Sequence, residues 1–228
     1  MNAAAFVLEV EHAMRALADP RRASDMKAYM RGQFEFVGVP TPMRRQIGKS
    51  LPPLAQDAQA LLRIARALWR KPEREYHYVA CDVLIKNARL FSIADLPAFK
   101  TLLQKDAWWD TVDALSGAIG DIVAQERRRG LPAQEAMDAW LDDPDFWVRR
   151  SAMIHQLGWR LQTDTERLGR YALALSGDPE FFIRKAIGWA FRDYARWNPV
   201  FVQQFMKKHE TAMSALSVRE ATKHLKSQ

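Results

Sequence analysis

The sequence predicts an all-α chain, a right-handed α-solenoid of stacked helix pairs forming one domain over residues 1–228 around a concave basic groove. Apolar residues recur at three-to-four spacing along most of the length, the period of a helix with one buried face. Alternating β-branched runs are few, and only 10 glycines occur in 228 residues, which leaves little material for strands. One short pattern also returns at nearly constant intervals.

The opening segment, Met1 to Leu17, is apolar but carries Glu9 and Glu11 and has no basic start, so it reads as a helix rather than an export signal. Thr41-Pro42 fits a helix start with proline in the first turn. Asp142-Asp143-Pro144 and Gly177-Asp178-Pro179 fit the same device, and Asn198-Pro199 separates two more helices. Three segments, beginning at Lys71, Asp143 and Asp178, share a proline, an acid, an aromatic pair and then a helix, and Trp108-Trp109 falls on the same frame. Aligning His77, Trp109, Trp147 and Phe182 gives steps of 32, 38 and 35 residues, the period of HEAT-like repeats. Such units bury their apolar faces only by stacking, which produces an extended concave surface that a duplex fits. A generic helical bundle with chance aromatic spacing is the alternative.

At 48% hydrophobic residues the chain can bury a substantial core. The excess of 34 Lys+Arg over 27 Asp+Glu, a net charge of +7, favours nucleic acid or an anionic membrane surface. The longest basic run is Arg127-Arg128-Arg129, so the charge is dispersed along helices rather than held in a tail. Cys81 is the only cysteine, which excludes an internal disulfide and a thiolate cage and points to a reducing compartment. No stretch reaches eighteen apolar residues, so a soluble cytoplasmic protein is expected, with no membrane partner. The histidines at 12, 77, 155, 209 and 224 lack ligand spacing, and neither GxGxxG nor a P-loop occurs, so no metal or cofactor is expected.

Trp109 and Asp113 stand four apart on a predicted helix and therefore share a face. An acid beside an aromatic in a basic, polyanion-binding chain points to chemistry on a cationic group, as at a site of DNA damage. Each residue also has a plainer reading, Trp109 as core and Asp113 as a solvated acid or helix cap. Adjacent helical positions diverge by about 100°, so Trp108 and Trp109 cannot both face one core. Trp69, Trp140 and Trp159 read as packing. Trp189 follows a glycine within a helical pattern, a sign of close helix packing or of close ligand approach. In Arg149-Arg150 one arginine can pair with Asp110 or Asp143 while the other faces the groove. Arg44 and Arg45, in the first turns of a helix, are candidate phosphate contacts.

In their order along the chain, Tyr29-Met30, Phe36 through Arg45, Trp69 through Glu75, Trp108 through Asp113, Trp147 through Arg150, Phe181 through Trp189 with Arg192 and Tyr194, and Arg219 through Lys226 resemble the AlkD-type DNA alkylation repair glycosylases, HEAT-like repeat proteins. The resemblance implies excision of cationic N3- and N7-alkylated purines such as 3-methyladenine and 7-methylguanine from double-stranded DNA, without base flipping. It implies a catalytic cleft of Trp109, Asp113 and Trp189, a phosphate contact at Arg150, and further backbone contacts at Tyr29, Thr41 and Arg192. Gly158 stands where that family commonly has a lysine, which removes one expected phosphate contact. A closed set of repeats acting on DNA implies a monomer.

The chemistry is coherent without the family. An alkylated purine already carries positive charge, so its departure needs no general acid. An ionised Asp113 can stabilise the oxocarbenium-like sugar and position water, as a carboxylate does in glycoside hydrolysis. Two other functions stay open on the same fold: a non-catalytic binder of damaged or branched DNA, and a HEAT-type protein scaffold.

Overall fold

The computed structural model describes residues 2–51, 53–54 and 56–225. Met1 and Lys226, the ends of two segments read above, lie outside them. Among the described residues the regular structure is helical, apart from one isolated bridge between Glu35 and Glu73. The fold class is therefore all-α, and the chain divides into two compact units, Met1–Phe91 and Ser92–Gln228.

The first unit contains α1 (Ala3–Arg15), α2 (Pro20–Tyr29), α3 (Thr41–Ser50), α4 (Ala58–Trp69) and α5 (Arg74–Lys86). α4 and α5 form its central antiparallel pair, with α1 laid on α4 and α3 reaching both α1 and α5. The turn into α5 is tied by Glu75, which is fully buried and accepts from the backbone N–H groups of Val37, Gly38 and Val39 at 2.8–3.1 Å. Gly38 cannot be replaced there: its φ is +93°, and a Cβ would lie 2.1 Å from the Asp19 carbonyl oxygen.

The second unit contains α6 (Leu96–Gln104), α7 (Trp109–Arg128), α8 (Glu135–Trp140), α9 (Phe146–Ile154), α10 (Thr165–Ala174), α11 (Phe181–Tyr194), α12 (Pro199–Lys208) and α13 (Ala215–Thr222). They pair as α6/α7, α8/α9, α10/α11 and α12/α13, and the second members pack in series, α7 on α9, α9 on α11 and α11 on α13. Contacts at 113/150, 116/151 and 120/155 advance together along α7 and α9, so these helices run parallel. Parallel neighbours joined through an intervening helix are the signature of a helical repeat.

Helices α5, α7, α9, α11 and α13 begin at 74, 109, 146, 181 and 215, close to the frame read from the sequence, with a further copy at 215. That last copy begins at a Ser214 cap and lacks the proline and the aromatics. The recurring aromatics now have a reason. Trp108, Phe146, Trp147 and Phe182 gather where α7, α9 and α11 begin, with ring centroids 4.5–6.4 Å apart.

The helix starts differ from expectation in one respect. The caps are Asp145 and Glu180, not the Asp-Pro pairs before them, because Asp143 and Asp178 each accept the N–H two residues on and fold the proline into a turn ahead of the helix. Similarly Pro40 is the cap of α3 and Thr41 its first residue, whereas Asn198-Pro199 does separate two helices, with Asn198 capping α12.

Two predictions follow from this packing. Glu75→Gln surrenders the charge that three amides share, and denaturant unfolding should show a loss of about 2–3 kcal/mol. His155 is fully buried, with Nδ1 2.6 Å from the Ala152 carbonyl oxygen, and burial pushes its pKa down to about 4. A histidine neutral in the folded state and basic when unfolded stabilises fully above about pH 6.5, and that contribution is lost as pH falls toward 4. Melting temperatures should drop across this window in the wild type and less steeply in His155→Gln.

Candidate functional site

The second unit brings Asp113 and Trp189 together through Arg150, with Trp109 one turn before Asp113 on the same helix. Trp109 and Asp113 occupy the first two turns of α7, Arg150 lies on α9 and Trp189 on α11. Arg150 grips Asp113 with both edges of its fork, Nε donating to Oδ1 and Nη2 to Oδ2 at 2.8 Å each. Its Nη1 donates to the Phe182 carbonyl oxygen at 2.5 Å, and its guanidinium carbon stands 5.2 Å from the centre of the Trp189 ring. One side chain thus joins three successive repeat helices.

Arg150 is 1% exposed, while the Asp113 side chain retains 23% exposure. The carboxylate is therefore neither sealed in the core nor fully solvated, and both of its oxygens are held by Arg150. Burial raises the Asp113 pKa above the ordinary carboxylate value, and the Arg150 hydrogen bonds and charge oppose that rise. Each oxygen spends one lone pair on Arg150 and keeps another.

The register depends on small residues. The Ser116 hydroxyl on α7 stands 2.9 Å from that of Ser151 on α9, a hydrogen bond between the two helices. At Gly120 a Cβ would fall 2.0 Å from the His155 carbonyl oxygen, so the two helices approach too closely for any side chain. Gly188, next to Trp189, plays the same part against α13, where a Cβ would meet that of Glu220 at 2.4 Å. Of the two readings of this glycine, close helix packing is the one observed.

Trp189 is half-buried, and its Nε1 is buried without a hydrogen-bond partner. Besides Arg150, it has Lys185 and Arg192 each 5.6 Å from its ring centre. Both cations also bridge Glu220 on α13, at 2.9 and 2.7 Å. Lys185 and Glu220 were not singled out in the sequence. Lys185 stands four residues before Trp189, the spacing that already linked Trp109 to Asp113, so the same rule identifies it. Nothing local to Glu220 marks it.

Several expectations are corrected by position. Arg150 was expected on a phosphate, but its fork is spent on Asp113 and Phe182 inside the protein. Arg149 pairs with Asp178 and with the carbonyls of Asp143 and Pro144, rather than with a carboxylate at 110 or 143. Trp108 lies before the helix in extended backbone, so its divergence from Trp109 comes from the cap rather than from helical rotation. Gly158 adopts a φ of +81° and donates its N–H to Asp193 at 2.8 Å, a conformation in which a lysine is strained. In the first unit Tyr29, Thr41 and Arg45 are exposed, but Arg44 turns inward, 7% exposed, over the Tyr78 ring and beside Asp82.

Parallel repeat helices joined by an arginine that grips a partly exposed carboxylate and faces an indole define a helical-repeat protein. The chain belongs to the DNA alkylation repair enzyme family, whose model matches residues 10–225. Among solved structures it is similar to a predicted DNA alkylation repair enzyme from Enterococcus faecalis, at 34% identity and a TM-score of 0.82, covering 92% of this chain and 98% of that one. Two Streptococcus mutans proteins share the fold. They are smu.31 of strain UA159 (16% identity, TM-score 0.60, covering 93% of this chain and 100% of that one) and AlkD2 (17%, 0.58, covering 82% and 88%). No curated protein sequence matches the chain. No helix among the described residues is long and apolar enough to cross a membrane.

If the Arg150–Asp113 pair carries the register of α7 on α9, Asp113→Asn should cost about 3 kcal/mol of unfolding free energy, since a buried guanidinium loses its counter-charge. Equal unfolding midpoints for the variant and the wild type would show that the pair is not formed.

Proposed function

We propose that this protein is an alkylpurine DNA glycosylase that hydrolyses the N-glycosidic bond of cationic N3- and N7-alkylated purines in duplex DNA without flipping the base. The observation that carries this reading is the partly exposed Asp113 carboxylate held by both edges of the Arg150 fork, whose guanidinium also faces the Trp189 ring. A cationic base leaves with the electrons of the C1′–N bond and becomes neutral as it departs. The sugar is left as an oxocarbenium-like centre, which Asp113 stabilises while water adds at C1′ and gives up a proton. Trp109 and Trp189 line the cleft.

In this mechanism Arg150 is a positioning residue. Its fork keeps Asp113 ionised against burial and fixes the carboxylate's orientation, a service that a lysine's single point charge does not replace. Tyr29, Thr41 and Arg45 on the first unit, and Arg192 beside the cleft, are read as contacts to the DNA backbone. Arg44 is left out of that set because it is buried. The protein acts as a cytoplasmic monomer that needs no cofactor.

The test is release of 7-methylguanine or 3-methyladenine from methylated duplex DNA by the purified protein. Asp113→Asn should lose on the order of 100-fold or more in excision rate while still binding DNA. Absence of any release by the wild type would return the fold to a non-catalytic binder.

Excision should also fail at acid pH. Because burial raises the Asp113 pKa, the rate should fall at a pH above the ordinary carboxylate value of about 3.9, as the anion takes up its proton. Arg150→Gln should move that acidic limb further upward. A limb that stays in place with only DNA affinity reduced would make Arg150 a DNA contact instead.

A further inference from the structure

We propose that the first unit carries a separate anion site, a pocket for a phosphomonoester between α1, α3 and α5. A cavity of about 650 Å³ opens there, within the range of small-molecule sites. Arg44, Arg45 and Lys49 of α3 and Lys86 of α5 line it, and Asp82 is the one carboxylate among its described lining residues. Val79, Asp82, Val83 and Lys86 recur along a single face of α5, and Phe6 of α1 adds to the apolar wall. The inference does not need the glycosylase reading, since none of Asp113, Trp109 and Trp189 takes part in it; Arg45 alone is shared with the DNA contacts proposed above.

Two observations point to a ligand. Arg44 is more than nine-tenths buried, its Nη2 stands 3.4 Å from Asp82, and its Nε has no hydrogen-bond partner. Arg44 lines the cavity, and a buried guanidinium whose nearest carboxylate oxygen stands as far as 3.4 Å away is incompletely compensated. Burial lowers the Arg44 pKa and raises that of Asp82, so their mutual pairing does not fully offset the desolvation of either. Independently, Gly48 lines the cavity inside α3 with nothing within 4 Å of the place a Cβ would occupy. A glycine in a helix interior costs about 1 kcal/mol relative to alanine. No packing contact requires it here: the position is exposed in the last turn of α3, and a long side chain there would stand at the cavity wall.

The charge balance selects the ligand class. Four cations facing one carboxylate suit a phosphomonoester of about −1.5 to −2 better than a phosphodiester of single charge. The apolar wall and half-buried Asp82 suit a body with a hydroxyl, as in a nucleotide. A free mononucleotide and a 5′-phosphorylated strand end share this chemistry.

Binding is measured calorimetrically with inorganic phosphate, with dAMP, and with two duplexes that differ only in a 5′-phosphate or 5′-hydroxyl end. The expected result is saturable binding of dAMP, of the phosphorylated end, or of both. That binding should weaken at least tenfold in Gly48→Met, which fills the cavity without altering charge, and in Lys49→Ala/Lys86→Ala. Melting curves confirm that both variants fold. Preference for dAMP with no difference between duplexes identifies the free nucleotide; a duplex difference erased by Gly48→Met identifies the strand end. Failure of every phosphomonoester to bind, or binding that neither variant alters, overturns the proposal.

Discussion

The buried fork of Arg150 on Asp113 is the interaction on which the rest of the second unit depends. A guanidinium with 1% exposure is tolerated only with its donors filled, and here they are filled by a carboxylate on the preceding repeat and a carbonyl on the following one. α7, α9 and α11 are thereby fixed in a register that apolar packing alone leaves free to slide. The constraint that stabilises the stack also determines how the Asp113 carboxylate meets solvent. Fold and candidate chemistry share one pair of side chains.

The tight spacing behind that pair is set by absent atoms. Gly120 and Gly188 bring backbone against backbone or side-chain stem, and Ser116 with Ser151 adds a hydrogen bond where a larger residue would push the helices apart. The aromatic cluster at the helix starts fixes the opposite need, a wide and rigid base from which α7, α9 and α11 depart. Small residues inside and large ones at the ends together hold parallel helices that have no turn connecting them directly.

Much of this was legible in the sequence because it is written in local spacing. The repeat frame, the shared face of Trp109 and Asp113, and the helix boundary at Asn198-Pro199 all follow from residues a few positions apart. The fate of the arginines was not legible. Arg149, Arg150, Arg44 and Arg45 are chemically alike in the sequence, and only the packing of neighbouring helices decides that Arg44 and Arg150 go inward while Arg45 stays exposed. The repeat at α13 escaped notice for a related reason. It is defined by what it packs on, through Glu220, Ser217 and Ala221 against Gly188, rather than by aromatics of its own.

Glu220 gives that last helix a role beyond covering the end of the stack. A single carboxylate there is shared by Lys185 and Arg192, the two cations over the Trp189 ring, and so leaves one positive charge unbalanced, while Arg150 approaches the same ring already paired with Asp113. The terminal helix is thus tied to α11 through one acid that holds two bases, so loss of that acid would free both cations beside the indole at once.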